Sequence, residues 1–544
     1  MHWPFACPGH WECPKGVCRP MCDFPLCRED IPFHQVVTDG TGRILPWKPF
    51  GPLLATVMGF IGTCPRDPLT ALPWYMQYSA FRFESMRPKA WPHNPAGLFG
   101  MMVETILRYW PYTGEKKWVE MARRPLDHLI ANSTPSSYLW PRVPYASADN
   151  TGRYAGGSHE GIDGIEPDKV GQAAVGYVRF FKLTGETNYL EEARHCAGVL
   201  ADRIRPADEF RSPWPFRVNA RTGEILEEYT SDVLWPIVLF EELGALGAAT
   251  PAMNEARDRA LSWMMRYPMQ NMRWKGYFED VELDTLDLNR EQYTPGEVAR
   301  YLMRHPETDP EWRHHVASLL SWIKSALGDT SPLWRGATAV REQLFWQQIA
   351  GSHTARYASL CAMWYAASGQ ESFREEALRT FALASYFARD DGIVIFSICD
   401  QDVWFSDGYF DYVPHFIDGM AALPEMAPDG ETHLLGSTSV VTDISYGPSS
   451  IAYRTFETDG EDILKLGFVP ERVSTEKGSL DLKVDEDRIP GYTFDPVRKV
   501  LRIHRRGASS VVVSGAGGEH TKRPQTCVSC QPDDERVDTF LERP

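Results

Sequence analysis

Positive charge and long apolar runs are both scarce in this sequence, and each shortage removes a class of partner. The 544 residues carry a formal net charge of −17. Proteins that bind nucleic acids or anionic membranes need a basic surface, so neither partner is expected. No run approaches about 18 consecutive apolar residues, and the sequence therefore predicts no membrane span.

The short motifs of several large enzyme classes are also missing. The sequence contains no GxxxxGK[ST], no HExxH, no GxSxG and no glycine-rich dinucleotide fingerprint after a strand. Phosphate-cradling, zinc-protease and serine-hydrolase functions therefore have no support. We expect an active site built from side chains alone, with no cofactor and no metal.

The eleven cysteines lack the spacing of a zinc site, which would show two CxxC pairs at a suitable separation. The pattern favours disulfides that staple a proline-rich arm, with zinc binding and free thiols as alternatives. The opening residues MHWPFACPGHWECPKG lack the order of a secretory signal. We expect an extracellular or periplasmic protein whose signal has been removed, and a cytoplasmic location is the alternative. The clustered cysteines are Cys7, Cys13, Cys18, Cys22, Cys27, Cys527 and Cys530.

A repeat of amphipathic stretches predicts a helical domain over residues 68–430, behind an irregular arm at 1–67. The stretches recur at intervals of 55 to 72 residues, which leaves room for two helices and a loop. They are rich in apolar and small residues, as suits an inner layer of helices. They begin near residues 96, 168, 231, 294, 353 and 408.

A second helix follows each of the first five stretches and carries charge on one face, as suits an outer layer. Short links such as TGE at 113–115 and 184–186 join the pairs, and their glycines can end a helix in the left-handed conformation. One outer helix is missing, and the segment 68–84 is predicted to supply it. The expected fold is therefore mainly α, a closed (α/α)6 toroid of six helical hairpins.

Beyond residue 430 the sequence pattern changes to short runs of β-branched residues separated by Gly, Pro, Asp and Glu, which is typical of strands. Residues 431–515 are predicted to form a small antiparallel β-sandwich domain. Residues 516–544 are predicted to be a polar tail.

The loops before the inner helices concentrate acids, histidines and aromatic residues. Parallel inner helices begin at one mouth of a toroid, so these loops should meet there. Carboxylates and arginines can hydrogen-bond to sugar hydroxyls, and aromatic rings can stack on the faces of sugar rings. Aromatic residues make up 12% of the chain. Paired carboxylates hydrolyse glycosides when one is protonated and the other ionised. Glu160 and Asp407 are the predicted catalytic pair, because each lies in a glycine-flanked loop, and Asp163 is the reserve.

Further polar and aromatic residues of the same loops are predicted to bind substrate. Each has a purely structural alternative: Asp232, like Asp168 and Asp407, stands where an N-cap belongs. The histidines can be buried, the arginines can brace loops, and the tryptophans can pack in the core. The predicted substrate-binding residues are His159, Trp214, Arg217, Tyr229, Asp232, Glu279, Tyr293, His353, Arg356, Trp404, Tyr409 and His415.

Residues 68–515 resemble the (α/α)6-toroid carbohydrate-active enzymes, through hairpin turns such as KLTGETNYLEEA and the β-rich segment that follows. The architecture is shared by unsaturated glucuronyl hydrolases, several glycosidase families and toroid polysaccharide lyases. The resemblance implies a carbohydrate substrate. It matches no diagnostic family motif, so it assigns no reaction.

The leading hypothesis is a glycoside hydrolase that uses paired carboxylates on an oligo- or polysaccharide. The alternative is a polysaccharide lyase or uronate epimerase, in which His353, His159 or Tyr409 moves a proton and Arg356 neutralises the uronate carboxylate. A non-catalytic glycan-binding protein is a second alternative. A terpene-cyclase-like toroid is disfavoured, because DxDD is absent and the mouth is too polar for a carbocation.

Overall fold

The computed structural model describes residues 34–83, 85–89, 93–148, 154, 162–276, 289–344, 349–395, 403–482 and 490–516, together with short strands at 11–12, 19–20 and 30–31. The chain is mainly α, as predicted. The helices are α1 (Phe50–Gly62), α2 (Pro95–Thr113), α3 (Lys117–Ala131), α4 (Pro167–Thr184), α5 (Thr187–Arg203), α6 (Leu234–Ala245), α7 (Pro251–Arg266), α8 (Pro268–Asn271), α9 (Tyr293–Arg304), α10 (Trp312–Leu327), α11 (Gly351–Ser368), α12 (Glu371–Ser385), α13 (Asp407–Phe410) and α14 (Val413–Ala422).

Six of the described helices form the inner layer of a closed ring. Their order around the ring is α2, α4, α6, α9, α11 and α14, and each contacts the next, with α14 returning to α2. Glycines stand at several of these contacts, among them Gly100, Gly171 and Gly296. The close approach of α2 to α4 needs glycine at Gly100, where a Cβ would lie 2.8 Å from Gln172. The predicted toroid is confirmed.

The outer layer pairs α3, α5, α7, α10 and α12 with the inner helices that precede them. Gly114, Gly185 and Gly369 end α2, α4 and α11 in the left-handed conformation, as the sequence predicted. The hairpin turns are therefore short at this end of the ring, and the longer connections lie at the opposite end, where the inner helices begin.

The predicted helix over residues 68–84 is wrong, because that segment holds only a short 3-10 turn at Trp74–Met76 and a strand at Ala80–Arg82. The ring is completed by α1, which lies inside the segment predicted to be an irregular arm. Phe50 of α1 contacts Phe381 and Phe416, so α1 packs on α12 and α14.

The strands before residue 430 are short and pair in twos and threes, whereas those after it form two antiparallel sheets. The strands are β1 (Trp11–Glu12), β2 (Arg19–Pro20), β3 (Asp30–Ile31), β4 (His34–Gln35), β5 (Val37–Thr38), β6 (Ile44–Leu45), β7 (Ala80–Arg82), β8 (Gly164–Ile165), β9 (Arg217–Asn219), β10 (Ile225–Glu227), β11 (Gly328–Asp329), β12 (Ala339–Val340), β13 (Val403–Phe405), β14 (His433–Ser437), β15 (Val441–Gly447), β16 (Ser450–Thr455), β17 (Gly460–Lys465), β18 (Pro470–Thr475), β19 (Gly478–Ser479), β20 (Gly491–Asp495), β21 (Val500–Arg505) and β22 (Ser510–Gly515).

The two C-terminal sheets have the orders β14-β17-β21-β20 and β15-β16-β22-β18-β19. They meet through a buried polar contact, in which Asp462 of β17 accepts hydrogen bonds from Tyr453 of β16 at 2.7 Å and from Arg505 of β21 at 2.7 Å. These sheets pack on the ring where the inner helices end. The indole of Trp110, in the last turn of α2, donates to the carbonyl of Val441 at 3.1 Å.

No helix in the described residues is long and apolar enough to cross a membrane. Three described cysteines, Cys64, Cys196 and Cys361, are buried free thiols. The clustered cysteines at both ends of the chain lie outside the described residues, so the disulfides stay a prediction.

Candidate active site

A cavity of about 90 Å³ lies at the centre of the ring and is lined by residues from all six inner helices. We call it the central cavity. The helices α2 and α4 run parallel, since they meet at Gly100 and Gln172 and again further along both helices at Glu104 and Arg179. The helices α4 and α6 do the same at Gly171 and Pro236 and then at Arg179 and Glu242. The polar residues lining it are Glu104, Arg108, Gln172, Arg179, Tyr293, Glu297, Arg300, Tyr301, Arg304, His305, Arg356, Asp411, His415 and Asp418.

At the end of the cavity where the inner helices begin, which we call the loop end, Asp411 joins two histidines and an arginine. Arg356 of α11 donates to one oxygen of Asp411. The imidazole Nε2 of His415 lies 3.2 Å from that oxygen, and the imidazole Nδ1 of His353 lies 3.5 Å from the other. Nδ1 of His353 accepts a hydrogen bond from the side-chain amide of Gln292 at 2.7 Å. Nε2 of His353 lies 3.9 Å from the carboxylate of Glu342. The His353 ring is therefore flanked by two carboxylates.

Both imidazoles are held neutral at physiological pH. Burial lowers the pKa of His353, and Arg356 adds to this effect while Glu342 opposes it. Burial also puts the pKa of His415 well below its usual value, with Arg356 and Arg300 as further causes. Arg300 donates to Nδ1 of His415 at 3.0 Å. A neutral imidazole between hydrogen-bonding partners is suited to accept and return a proton.

Tyr293 forms the wall of the cavity next to this cluster. Its hydroxyl accepts hydrogen bonds from Gln172 at 2.7 Å and from the indole of Trp235 at 3.2 Å. The guanidinium of Arg356 lies over the tyrosine ring, 4.3 Å from its centre. This stacking and the ion pairs with Glu297 and Asp411 fix the position of Arg356.

Buried acids lie beside the same end of the cavity. Asp232 is 2% exposed, and burial raises its pKa well above the usual value, with the neighbouring Asp168 as the next cause. Burial also raises the pKa of Glu291 to about 7, although the backbone N–H of Thr294 donates to its carboxylate at 2.9 Å. These acids are held protonated over a wider pH range than exposed carboxylates.

The other end of the cavity, where the inner helices end, contains a network of ion pairs. We call it the arginine end. Asp418 accepts from Arg108 at 2.7 Å, from Arg300 at 2.6 Å and from Arg304 at 3.1 Å. Arg108 also reaches Glu104 at 2.9 Å. Although burial opposes the effect, the arginines put the pKa of Asp418 well below its usual value and that of Glu104 at about 2. The carboxylates here stay ionised.

The structure brings five of the predicted residues to the loop end of the cavity. Tyr293, Arg356 and His415 line the cavity itself. His353 adjoins it through Asp411, and Asp232 lies near Glu291. The N-cap alternative for Asp168 and Asp232 is wrong, since Glu166 and Val233 are the N-cap residues of α4 and α6.

Several of the other predicted residues pack away from the cavity. Trp214 donates to the carbonyl of Leu200 at 2.9 Å, and Trp404 stacks on Phe81 with ring centres 4.3 Å apart. The hydroxyl of Tyr409 accepts from the backbone N–H of Val394 at 3.1 Å. These three side chains form part of the core, where burial of their aromatic area stabilises the fold.

Arg217, Tyr229 and Asp163 hold loops around the mouth. Arg217 bridges Glu166 at 2.8 Å and Glu227 at 2.7 Å, as the loop-bracing alternative predicted. The hydroxyl of Tyr229 donates to the carbonyl of Arg273 at 2.9 Å. Asp163, at a φ of 67°, accepts from the hydroxyl of Tyr138 at 2.9 Å.

Glu160, His159 and Glu279 lie outside the described residues, and Asp407 is described only as the first residue of α13. Their predicted roles stay predictions.

Other charged residues in the inner helices and in the turn before α14 were not predicted, and Asp411 of that turn and Glu297 and Arg300 of α9 matter most. The available signal was their spacing. Glu297, Arg300 and Arg304 recur at three- and four-residue steps, which places them on one face of a helix that is otherwise largely buried. Charges on the buried face of an inner helix indicate a polar cavity.

In the described part of the chain, no group of three or more His, Cys, Asp or Glu side chains is arranged to hold a metal ion. The arrangement places imidazoles and carboxyls, which can exchange protons, beside guanidiniums, which can donate hydrogen bonds.

Comparisons with known proteins agree with the ring. No protein-family model matches the sequence, and no curated protein sequence matches it. Among solved structures, a D-mannose isomerase matches with a TM-score of 0.51 and 11% identity, over 69% of this chain and 96% of that one. A cellobiose 2-epimerase from Spirochaeta thermophila DSM 6192 matches with a TM-score of 0.50 and 11% identity, over the same shares of the two chains. Such similarity concerns the fold, and it confirms that the chain is an (α/α)6 toroid like these two sugar enzymes.

Proposed function

We propose that this protein is a carbohydrate-active enzyme that moves a proton at a sugar carbon next to a carbonyl or carboxylate group. The observation that carries the proposal is the cluster at the loop end, where His353, His415 and Arg356 surround Asp411. The two toroids of similar fold are named as a sugar isomerase and a sugar epimerase. Reactions of both kinds need this type of proton transfer.

The proposed chemistry divides between His353 and Arg356. A neutral imidazole takes the proton from the carbon, and the electron pair moves onto the neighbouring carbonyl or carboxylate oxygen. A guanidinium stabilises that oxygen as negative charge develops on it. Asp411 and Glu342 stabilise the imidazolium that forms. Return of a proton to the opposite face of the same carbon gives the epimer. Return to the neighbouring carbon, with transfer of the hydroxyl proton between the two oxygens, gives the isomer. Loss of a leaving group instead of reprotonation gives a lyase.

The described carboxylates inside the cavity do not suit the hydrolytic alternative, since all of them are held by arginines. Burial opposes ionisation of Glu297, but Arg300 and Arg356 lower its pKa below the usual value, as other arginines do for Glu104 and Asp418. A glycosidase needs one carboxyl that remains protonated. None of these three meets that need, and the fourth carboxylate of the cavity, Asp411, is paired with Arg356.

Hydrolysis nevertheless remains the second candidate, because two acids beside the cavity have raised pKa values. Burial keeps Asp232 and Glu291 protonated at pH values where exposed carboxyls are ionised. Either acid is suited to protonate a glycosidic oxygen. The predicted pair Glu160 and Asp407 belongs to this alternative.

Solvent-deuterium exchange separates the two candidates. The protein is incubated in D2O with a panel of aldoses, ketoses, disaccharides and uronates, and carbon-bound deuterium is measured by NMR. Proton transfer predicts deuterium at the carbon next to the carbonyl or carboxylate, and in the lyase case a product that absorbs near 235 nm. Hydrolysis predicts new reducing ends without carbon-bound deuterium.

His353→Asn should slow the exchange by about 10²- to 10⁴-fold, the usual contribution of a general acid–base group. His314→Asn is the matched control, because His314 is an exposed histidine on the outer helix α10. Equal rates in both variants would contradict the role of His353. Loss of new reducing ends in Asp232→Asn, with normal release of reducing ends by His353→Asn, would favour hydrolysis.

A further inference from the structure

Arg304 occupies an unusual position at the arginine end of the central cavity. It is the last residue of α9, lines the cavity and leaves 40% of its side chain accessible to solvent. A solute can therefore reach its guanidinium from the end opposite the loops. His305 follows it in sequence and lines the same part of the cavity.

The hydrogen-bonding capacity of Arg304 is mostly unused. A guanidinium has five N–H donors. Within the described chain, Arg304 makes one polar contact, from a terminal nitrogen to Asp418 at 3.1 Å. The same Asp418 oxygen already accepts from Arg300 at 2.6 Å, and the other oxygen accepts from Arg108 at 2.7 Å.

Three guanidiniums thus share a single carboxylate. Arg108 has Glu104 as a second partner, and Arg300 has Glu297 at 3.4 Å. Arg304 has no second carboxylate among the described residues. An added anion at this position would relieve the repulsion among the three cations.

We propose that the arginine end of the central cavity binds a small oxyanion, such as phosphate, sulfate or a carboxylate, through the guanidinium of Arg304. Two adjacent N–H groups of a guanidinium match two oxygens of such an anion. Arg304 and its carboxylate partner Asp418 both line the central cavity, so an anion bound there lies inside the ring. The site is separate from the His353 cluster, so the inference does not rest on the proposed reaction.

Calorimetric titration with inorganic phosphate tests this, against sodium chloride at equal ionic strength. We expect saturable binding of phosphate to the full chain. Arg304→Gln should weaken it about tenfold or more, because it removes a charge-assisted hydrogen-bonding fork. Arg221→Gln is the matched control, since Arg221 is a solvent-exposed arginine with its carboxylate partner Asp163 at 3.4 Å. Binding should be unchanged in this control.

Further titrations with glucose, glucuronate and glucose 6-phosphate identify the source of the anion. Binding of phosphate and of both acidic sugars, each weakened by Arg304→Gln, means that the site accepts any small oxyanion. Binding of the acidic sugars alone, with the same dependence, means that the oxyanion is part of a sugar ligand. Either result supports the proposal.

The proposal is overturned if none of these anions binds above the chloride background, or if Arg304→Gln and Arg221→Gln bind alike. Arg304 would then serve only to offset the partial negative charge at the end of α9. Arg304→Gln should fold, because Arg108 and Arg300 still hold Asp418. If it does not fold, Arg304→Lys replaces it, because lysine keeps the charge but lacks the two adjacent N–H donors of a guanidinium. This variant should bind phosphate with an affinity between that of the wild type and the chloride background. An affinity equal to that of the wild type would count against the proposal.

Discussion

The two ends of the central cavity are built from similar residue types but differ in protonation. At the arginine end, Glu104 and Asp418 stay ionised because guanidiniums surround them. At the loop end, burial raises the pKa values of Asp232 and Glu291 and lowers that of His353. Buried charges with good partners fix geometry, whereas groups near a change of protonation state can exchange protons with a substrate.

The carboxyls at the two ends differ in protonation because the charges beside them have opposite signs. Asp418 has three arginines around it, whereas Asp232 has Asp168 and Glu291 among its charged neighbours. Burial weakens ionisation at both ends, so the sign of the neighbouring charge decides the outcome. The loop end is therefore suited to chemistry and the arginine end to rigidity and anion binding.

The largest effect on stability is expected from Asp418→Asn. This change removes the carboxylate shared by Arg108, Arg300 and Arg304 and leaves three cations close together. Breaking a buried ion pair on one side costs about 3–5 kcal/mol. Chemical denaturation followed by circular dichroism measures the loss. A cost below about 1 kcal/mol would show that the arginine end does not stabilise the ring.

Glu291→Gln should change how stability depends on pH. The folded protein keeps the Glu291 proton up to about pH 7, whereas the unfolded chain loses it near the usual value of 4.5. Wild-type stability should therefore fall as the pH rises from about 4.5 to about 7, by about 3 kcal/mol from this group. Glutamine stays neutral, so the variant should lack this fall. Parallel stability curves for the two proteins would contradict the raised pKa.

The pH dependence of turnover gives a second test of the loop end. Since burial lowers the pKa of His353, the neutral imidazole persists below pH 6.5, the usual pKa of histidine. The acid limb of the rate profile should therefore be centred below pH 6.5. An acid limb centred above 6.5 would mean that a different group transfers the proton.

The smallest effect is expected on the outer surface, where Arg123 and Glu186 pair at 2.6 Å with substantial exposure. Solvent screens this ion pair, so Glu186→Gln should cost about 0.5 kcal/mol. The same denaturation measurement made for Asp418→Asn gives the value. A loss in the free energy of unfolding as large as that of Asp418→Asn would mean that surface and interior ion pairs contribute equally to stability.

Much of the ring was predictable because its helices alternate between apolar inner and amphipathic outer stretches. The first five inner helices begin within three residues of the predicted positions. The helix that completes the ring was missed, because α1 contains Gly51, Pro52, Gly59 and Gly62 and its sequence resembles an irregular segment. Pro52 is tolerated there because it lies in the first turn.

The site was less predictable than the ring. Sequence reasoning selected His353, Arg356 and His415 from loops and helix starts, and the structure brings these three together around Asp411. The same reasoning selected Trp404 and Tyr409, which pack in the core. Aromatic residues suit both a core and a sugar site, so their neighbours in space decide, and sequence spacing does not reveal those neighbours.

The most direct test is a crystal structure of the His353→Asn variant soaked with a sugar that the wild-type protein converts. The account predicts a sugar at the loop end, with an oxygen within hydrogen-bonding distance of Arg356 and a carbon facing the side chain at position 353. A sugar bound on the C-terminal sheets or on the outer helices, with the loop end empty, would contradict it.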